Sequence, residues 1–339
     1  MMRALVYTAP RELELQDVPV PRLESGTVLV RVRAVGVCGS DLEGFLGKSK
    51  RRVPPLVLGH EFSGEVAELG PGVRDFRVGD RVAVYPLIPC GRCRYCALGR
   101  QHICPGRRVY GLDFHGALAE YVCAPRASLF RLPADMSFVQ GALVEPLANA
   151  VHALGRVPQV EGATALVYGV GPIGMLIFWL ARRLKTERVA VVDINPHRLG
   201  TAKELGADLV VNGSQSNPVQ AILEWTEGRG VDFAVDAVGH PDCRANTVAC
   251  AARGGTVVWI GLGGDQTALD GRSVVTREIE IKGSYAYGLK DFERSMSILA
   301  EKTFPIASFV SEARLEQGQS MFDDLASGAS SLMKLVFTM

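Results

Sequence analysis

Apolar and polar residues alternate along Thr27–Val35, Glu61–Leu69 and Arg81–Tyr85, the period-two pattern of half-buried strands. Gly-Pro, Pro-Gly and Gly-Asp pairs separate these runs and mark turns. Residues 1–146 therefore read as a β-rich domain. From about Thr164 the pattern changes. Short apolar runs at Ala165–Tyr168, Arg188–Asp193, Asp208–Val211, Val231–Asp236, Thr256–Gly261 and Ile279–Gly283 read as strands. Helical segments at Pro172–Leu184, Pro196–Leu205 and Pro218–Thr226 come between them. Strands alternating with helices of this length predict a doubly wound parallel sheet, so the fold class is α/β. This second domain is placed at 147–285. The tail, 286–339, ends in the strand-like Lys334–Phe337 and is too short to stand alone, so it is assigned to the first domain.

Composition narrows the function classes. The chain has 339 residues, 47% of them hydrophobic, enough for two cores. Thirty-seven Lys and Arg against 36 Asp and Glu give a net charge of +1, which offers no support for a nucleic-acid partner. The greasiest stretch, near Met175–Leu180, is interrupted by Arg182 and Arg183, so no membrane span is expected. The start, Met1-Met2-Arg3, leads straight into strand-like sequence, and a cytoplasmic location without a signal peptide is the expectation.

Eight cysteines are unevenly placed. Cys123, Cys243 and Cys250 read as ordinary buried thiols. Cys90, Cys93, Cys96 and Cys104 crowd together, with two, two and seven intervening residues. That spacing lets one loop, 88–106, wrap four thiolates around a single ion, with Gly91 and Gly99 easing the turns. A closed tetrahedral set of four cysteines is a structural zinc site. The rival is an iron–sulfur cluster, but ferredoxin spacing has three residues in the last gap.

Gly169-Val170-Gly171-Pro172-Ile173-Gly174 places G-x-G-x-x-G between a predicted strand and a predicted helix. The glycines allow the turn, the approach of a pyrophosphate and close helix–strand packing. Asp193 ends the next strand, where a carboxylate binds ribose hydroxyls and repels a 2′-phosphate, so NAD is expected. Arg198, next to His197, is the competing feature, because it can hold a phosphate instead.

Cys38-Gly39-Ser40-Asp41, Gly59-His60-Glu61 and Glu145-Pro146-Leu147 supply a Cys, a His and two carboxylates, the donor types of an open, catalytic zinc. With the four-Cys lobe and the glycine turn, these motifs resemble the zinc-dependent medium-chain alcohol and polyol dehydrogenases. The resemblance runs over nearly the whole chain in the family's order. Glu145-Pro146-Leu147 points to the sorbitol, butanediol, threonine and sugar-phosphate branch. The ethanol-type branch has Cys there.

The resemblance implies a GroES-like catalytic domain, a Rossmann domain, NAD, and two Zn2+ per chain, one catalytic and one structural. Cys38 and His60 match zinc ligands, and either Glu61 or Glu145 completes the site while the other orders a water or the substrate. Asp41 matches the residue that orients the zinc-bound His, and Ser40 the hydroxyl that relays the substrate proton. Ile260, Leu262, Ser284 and Tyr285 match positions around the nicotinamide amide. A homo-oligomer, dimer or tetramer, is the family expectation.

The implied reaction takes a hydride from a secondary alcohol of a polyol, cyclitol or sugar phosphate and leaves a ketone. Two alternatives compete: a non-enzymatic regulator or binding module that keeps the fold, and a zinc-free reductase of the same superfamily. The full donor set with Ser40 favours the dehydrogenase.

Three departures stand out. Glu43 replaces the relay His of many relatives, and Gly44 the aromatic that follows it in sorbitol dehydrogenase. Ala286-Tyr287 stands where sorbitol dehydrogenase has Arg-Tyr, so sorbitol itself is not the expected substrate. Lys48, Lys50, Arg51 and Arg52 form a basic run that reads as a solvated loop or as a clamp for an anionic substrate. Phe45, Phe114 and His115 are candidates to line the pocket.

Overall fold

The strand Thr27–Gly36 carries Val28, Val30, Val32 and Val35, all buried, and β-branched side chains suit a pleated surface covered on both faces. It is the centre of the first unit. The computed structural model describes residues 1–328 and 330–339. These divide into two compact units, Met1–Glu145 with Gly288–Met339, and Pro146–Tyr287. The return to the first unit thus falls at Gly288 rather than at residue 286.

In the first unit, Thr27–Gly36 pairs antiparallel with Glu61–Leu69 on one side and with Tyr121–Pro125 and Lys334–Thr338 on the other. Arg81–Val84 and Leu129–Arg131 extend the sheet beyond Glu61–Leu69, and Val310–Arg314 extends it beyond Lys334–Thr338. The tail therefore joins the first unit by strand pairing. Phe45, Phe62, Phe322 and Phe337 sit in its core, with the Phe45 and Phe322 rings 5.3 Å apart. Phe45 is thus a core residue.

In the second unit, parallel strands run in the order Leu209–Asn212, Arg188–Asp193, Thr164–Tyr168, Val231–Asp236, Ala251–Trp259, Glu280–Gly283. Numbered along the chain this is 3-2-1-4-5-6, the doubly wound order whose strand reversal lies beside the first strand. The fifth strand begins at Ala251, earlier than the alternation indicates, and stops at Trp259. Ile260 and Gly261 instead donate their amides to the Asp236 carbonyl. Proline opens the helices Pro172–Arg183, Pro196–Glu204, Pro218–Trp225 and Pro241–Cys250, where its missing N–H is no loss.

Among the helices that escape the sequence pattern, two show why. Pro241–Cys250 is largely polar in sequence. Phe138–Leu154 is buried along much of its length and contains Pro146, so it shows neither an amphipathic stripe nor an uninterrupted helical run.

Candidate functional site

Thr27–Gly36 leads almost directly into Cys38, and Glu61–Leu69 starts at the residue after His60. The register sets Gly36 opposite Glu61, so the end of one strand and the start of the other meet. There, one donor atom each from Cys38, His60 and Glu61 lie within 4.8 Å of one another. A thiol, an imidazole and a carboxylate at this separation fit a zinc ion with one position left open. Glu145 is buried in Phe138–Leu154 and is not among the described donors that gather at this distance.

The surroundings of these three are built with equal care. Cys38 caps the helix Gly39–Phe45, and its amide donates to Asp41 Oδ2 at 3.1 Å. Asp41 is fully buried. Its other oxygen accepts from the Gly59 amide at 3.4 Å and lies 3.4 Å from His60 Nδ1, leaving Nε2 for a metal. Burial alone would raise the Asp41 carboxyl, but His60, Arg52 and the Cys38 amide outweigh it and hold it down at about 2. Burial likewise works against a charged His60, yet Asp41 and Cys38 raise it well above the ordinary histidine value.

Two charged residues take up places in this site that the sequence pattern does not indicate. Lys334, at the start of the last strand, is buried, donates to the Val37 carbonyl at 2.8 Å and pairs with Glu61 Oε2. Burial would lower its pKa, but Glu61, Cys38 and Glu145 raise it, so it stays a cation. Gly36 makes this pair possible, since a Cβ there would meet Glu61 Oε2 at 2.2 Å and Lys334 Cε at 3.2 Å. Arg52 is the second. The basic run is split by the fold: Lys48 and Lys50 are exposed, Arg51 pairs with Asp113 at 2.8 Å, and Arg52 turns inward. Its Nη2 donates to Ser40 Oγ at 3.0 Å and lies 3.5 Å from Asp41 Oδ1. Of the remaining pocket candidates, Phe114 packs edge-on against Tyr110, and exposed His115 accepts the Val57 amide through Nδ1 at 3.1 Å.

The four-Cys lobe is equally explicit. The sulfurs of Cys90, Cys93, Cys96 and Cys104 lie within 4.8 Å of one another, with Cys93 3.5 Å from Cys96 and 3.7 Å from Cys104. A tetrahedron with Zn–S bonds of about 2.3 Å has edges of roughly 3.8 Å, so one ion fits. An iron–sulfur cluster, with each thiolate on a different iron, would spread the sulfurs more widely. Gly91 and Gly99 take φ of +73° and +69°, the left-handed turns the loop needs.

In the second unit the glycine turn is sterically specified. Gly169 has φ +86°, and a Cβ on Gly174 would lie 1.7 Å from the Gly169 carbonyl oxygen. At Gly171, which caps Pro172–Arg183 and precedes Ile173, a Cβ would meet only the Arg198 guanidinium, at 3.6 Å from Nη1. That open side of the turn suits a pyrophosphate. Asp193 does more than the sequence indicates. Its Oδ2 accepts the Val170 amide at 2.8 Å, and Oδ1 accepts those of Ile194 and Asn195 at 2.8 and 2.9 Å. It thereby anchors the turn, and each carboxylate oxygen accepts up to two bonds, so capacity for a ribose hydroxyl remains. Arg198 stands beside the turn, and its buried Nε has no hydrogen-bond partner among the described residues.

Ile260, Leu262, Ser284 and Tyr285 follow the carboxyl ends of the last two strands, the edge of the sheet that also carries the turn. Leu262 and Tyr285 are exposed and Ser284 is buried. Arg244, absent from the sequence reading, fixes the Leu262 loop by donating to the Gly261 and Gly264 carbonyls at 2.9 and 2.6 Å.

Residues 24–134 match the alcohol dehydrogenase GroES-like domain, and residues 172–301 the zinc-binding dehydrogenase family. The chain is 33% identical over 328 residues to a sorbitol dehydrogenase of Bacillus subtilis, covering 95% of this chain and 93% of that one. It is 34% identical over 346 residues to an L-threonine 3-dehydrogenase of Streptomyces coelicolor, covering 99% and 100%. A zinc-binding dehydrogenase of Sinorhizobium meliloti, solved with NADP, superposes with a TM-score of 0.93 at 30% identity, covering 100% of this chain and 99% of that one.

Proposed function

Because this chain belongs to the zinc-dependent medium-chain alcohol and polyol dehydrogenases, a family of NAD(P)-dependent oxidoreductases, we propose that it oxidises a secondary alcohol flanked by polar groups to a ketone, with NAD as the hydride acceptor. The substrate classes are polyols, cyclitols and sugar phosphates. The gathering of Cys38, His60 and Glu61 beside Ser40 carries this reading.

Cys38, His60 and Glu61 would hold the zinc, which supplies Lewis-acid polarisation of the alcohol oxygen when bound. The nicotinamide, when bound, supplies the hydride-accepting carbon. Asp41 orients His60 through Nδ1. Ser40 receives the alcohol proton, one helix position from Asp41. Lys334 holds Glu61, and Glu145 orders the substrate or a water. Cys90, Cys93, Cys96 and Cys104 would hold the second zinc away from the chemistry.

Asp193 favours NAD. The unpartnered Arg198 Nε beside Gly171 supports a second reading, NADP, with the guanidinium on the 2′-phosphate. The test is a reduction screen of both dinucleotides against polyols, their phosphates, cyclitols, diols and L-threonine, with zinc content measured alongside. Turnover of a secondary alcohol by zinc-loaded protein is expected. No turnover across the panel at full zinc loading overturns the reading.

A further inference from the structure

The helix Gly39–Phe45 places Ser40 and Gly44 four residues apart, on one face. The Arg52 side chain lies across that face. A Cβ on Gly44 would meet Arg52 Cδ at 2.4 Å and Arg52 Cβ at 3.2 Å, so only glycine lets the arginine pass. Beyond Gly44 the guanidinium reaches Ser40 Oγ at 3.0 Å. Arg52 is only 7% exposed, and its buried Nε has no partner among the described residues. An unpaired buried donor costs stability, so packing alone does not account for this placement.

We propose that Arg52 is a positioning residue for the Ser40 hydroxyl, held in place by the gap at Gly44. A guanidinium only donates. With Arg52 on one lone pair, Ser40 keeps one lone pair to receive a proton and one O–H to give, the minimum for a relay. Arg52 cannot itself take the proton onward, so it fixes the hydroxyl without joining the path. The departures at residues 43 and 44 then have a common logic. Glu43 is exposed, and the space that a side chain at residue 44 would fill is used by the arginine.

This inference rests on the role of Ser40 proposed above, and the test separates the two. Turnover of NAD with a substrate from the screen is measured for wild type, Ser40→Ala, Arg52→Lys, Gly44→Ala and the Ser40→Ala/Arg52→Lys double variant. Zinc content and melting temperature are measured for each. Arg52→Lys keeps the positive charge beside Asp41 but loses the fork. Gly44→Ala displaces the arginine and removes no charge. Each should lower kcat by about 10- to 100-fold, the worth of a charge-assisted hydrogen bond, with zinc and the KM for NAD unchanged. Because Arg52 acts through Ser40, the double variant should be no slower than Ser40→Ala alone. Wild-type kcat in both Arg52→Lys and Gly44→Ala, or losses that multiply in the double variant, overturn the inference alone. Full turnover in Ser40→Ala overturns the relay and this inference together.

Discussion

At the scale of single residues, Cys38 and His60 are legible because their chemistry is written in their types and order. The sequence leaves Glu61 and Glu145 as equal candidates for the third position, and only the folded sheet brings Glu61 to the other two. Lys334 and Arg52 are not legible, because a lone lysine or an arginine in a basic run reads as surface, and only the folded sheet carries residue 334 to residue 61. The energetic stake of Lys334 is nevertheless large. Lys334→Met leaves Glu61 as a buried charge without its partner, which should cost the metal-free chain about 3–5 kcal/mol. Denaturant unfolding of the metal-free protein measures this, and an unchanged midpoint would remove Lys334 from the site's framework. Gly36→Ala should lower zinc content although it replaces no donor, because its Cβ would push the Glu61 carboxylate and Lys334 out of place.

Secondary-structure elements explain which parts of the site stand alone. The four-Cys lobe draws its donors from one short stretch, and its spacing could be read directly. Protein purified without added metal should contain about two zinc ions per chain by elemental analysis. Cys93→Ser should lose one of them and melt lower, since structural metal binding is folding energy. A brown protein containing iron would contradict the assignment.

The glycine turn was equally legible, but its dependence on Asp193 was not, because backbone amides leave no mark in a sequence. Asp193→Ala should therefore do two things. It should weaken NAD more than NADP, through lost ribose bonds and lost repulsion of a 2′-phosphate. It should also lower stability by about 1–3 kcal/mol as three amides lose their acceptor. Binding titrations with both dinucleotides and thermal melts separate these effects. Wild-type preference for NADP would shift the ribose end to Arg198.

Across the whole molecule, the two-unit plan follows from the change of hydrophobic period, and the tail's return follows from its final apolar run. What alternation could not give is the pairing partner. Lys334–Thr338 joins Thr27–Gly36, the strand that ends beside Cys38, and Val37 donates its amide to the Leu335 carbonyl at 2.9 Å.

That pairing gives the two metal centres different birth times. All four lobe thiols have been made once residue 104 is added, whereas the Cys38 centre lacks its flanking strand and its buried cation until residues 334–338 follow. At about 5–20 residues per second, the interval is roughly ten to fifty seconds of translation. Nascent chains arrested near residue 300 should accordingly hold one tightly bound zinc and released chains two, as read by chelator competition. Two tightly held ions on the arrested chain would show that the final strand is dispensable to the centre. A chain stopped short of residue 334 should therefore carry the lobe's zinc and show no dehydrogenase turnover.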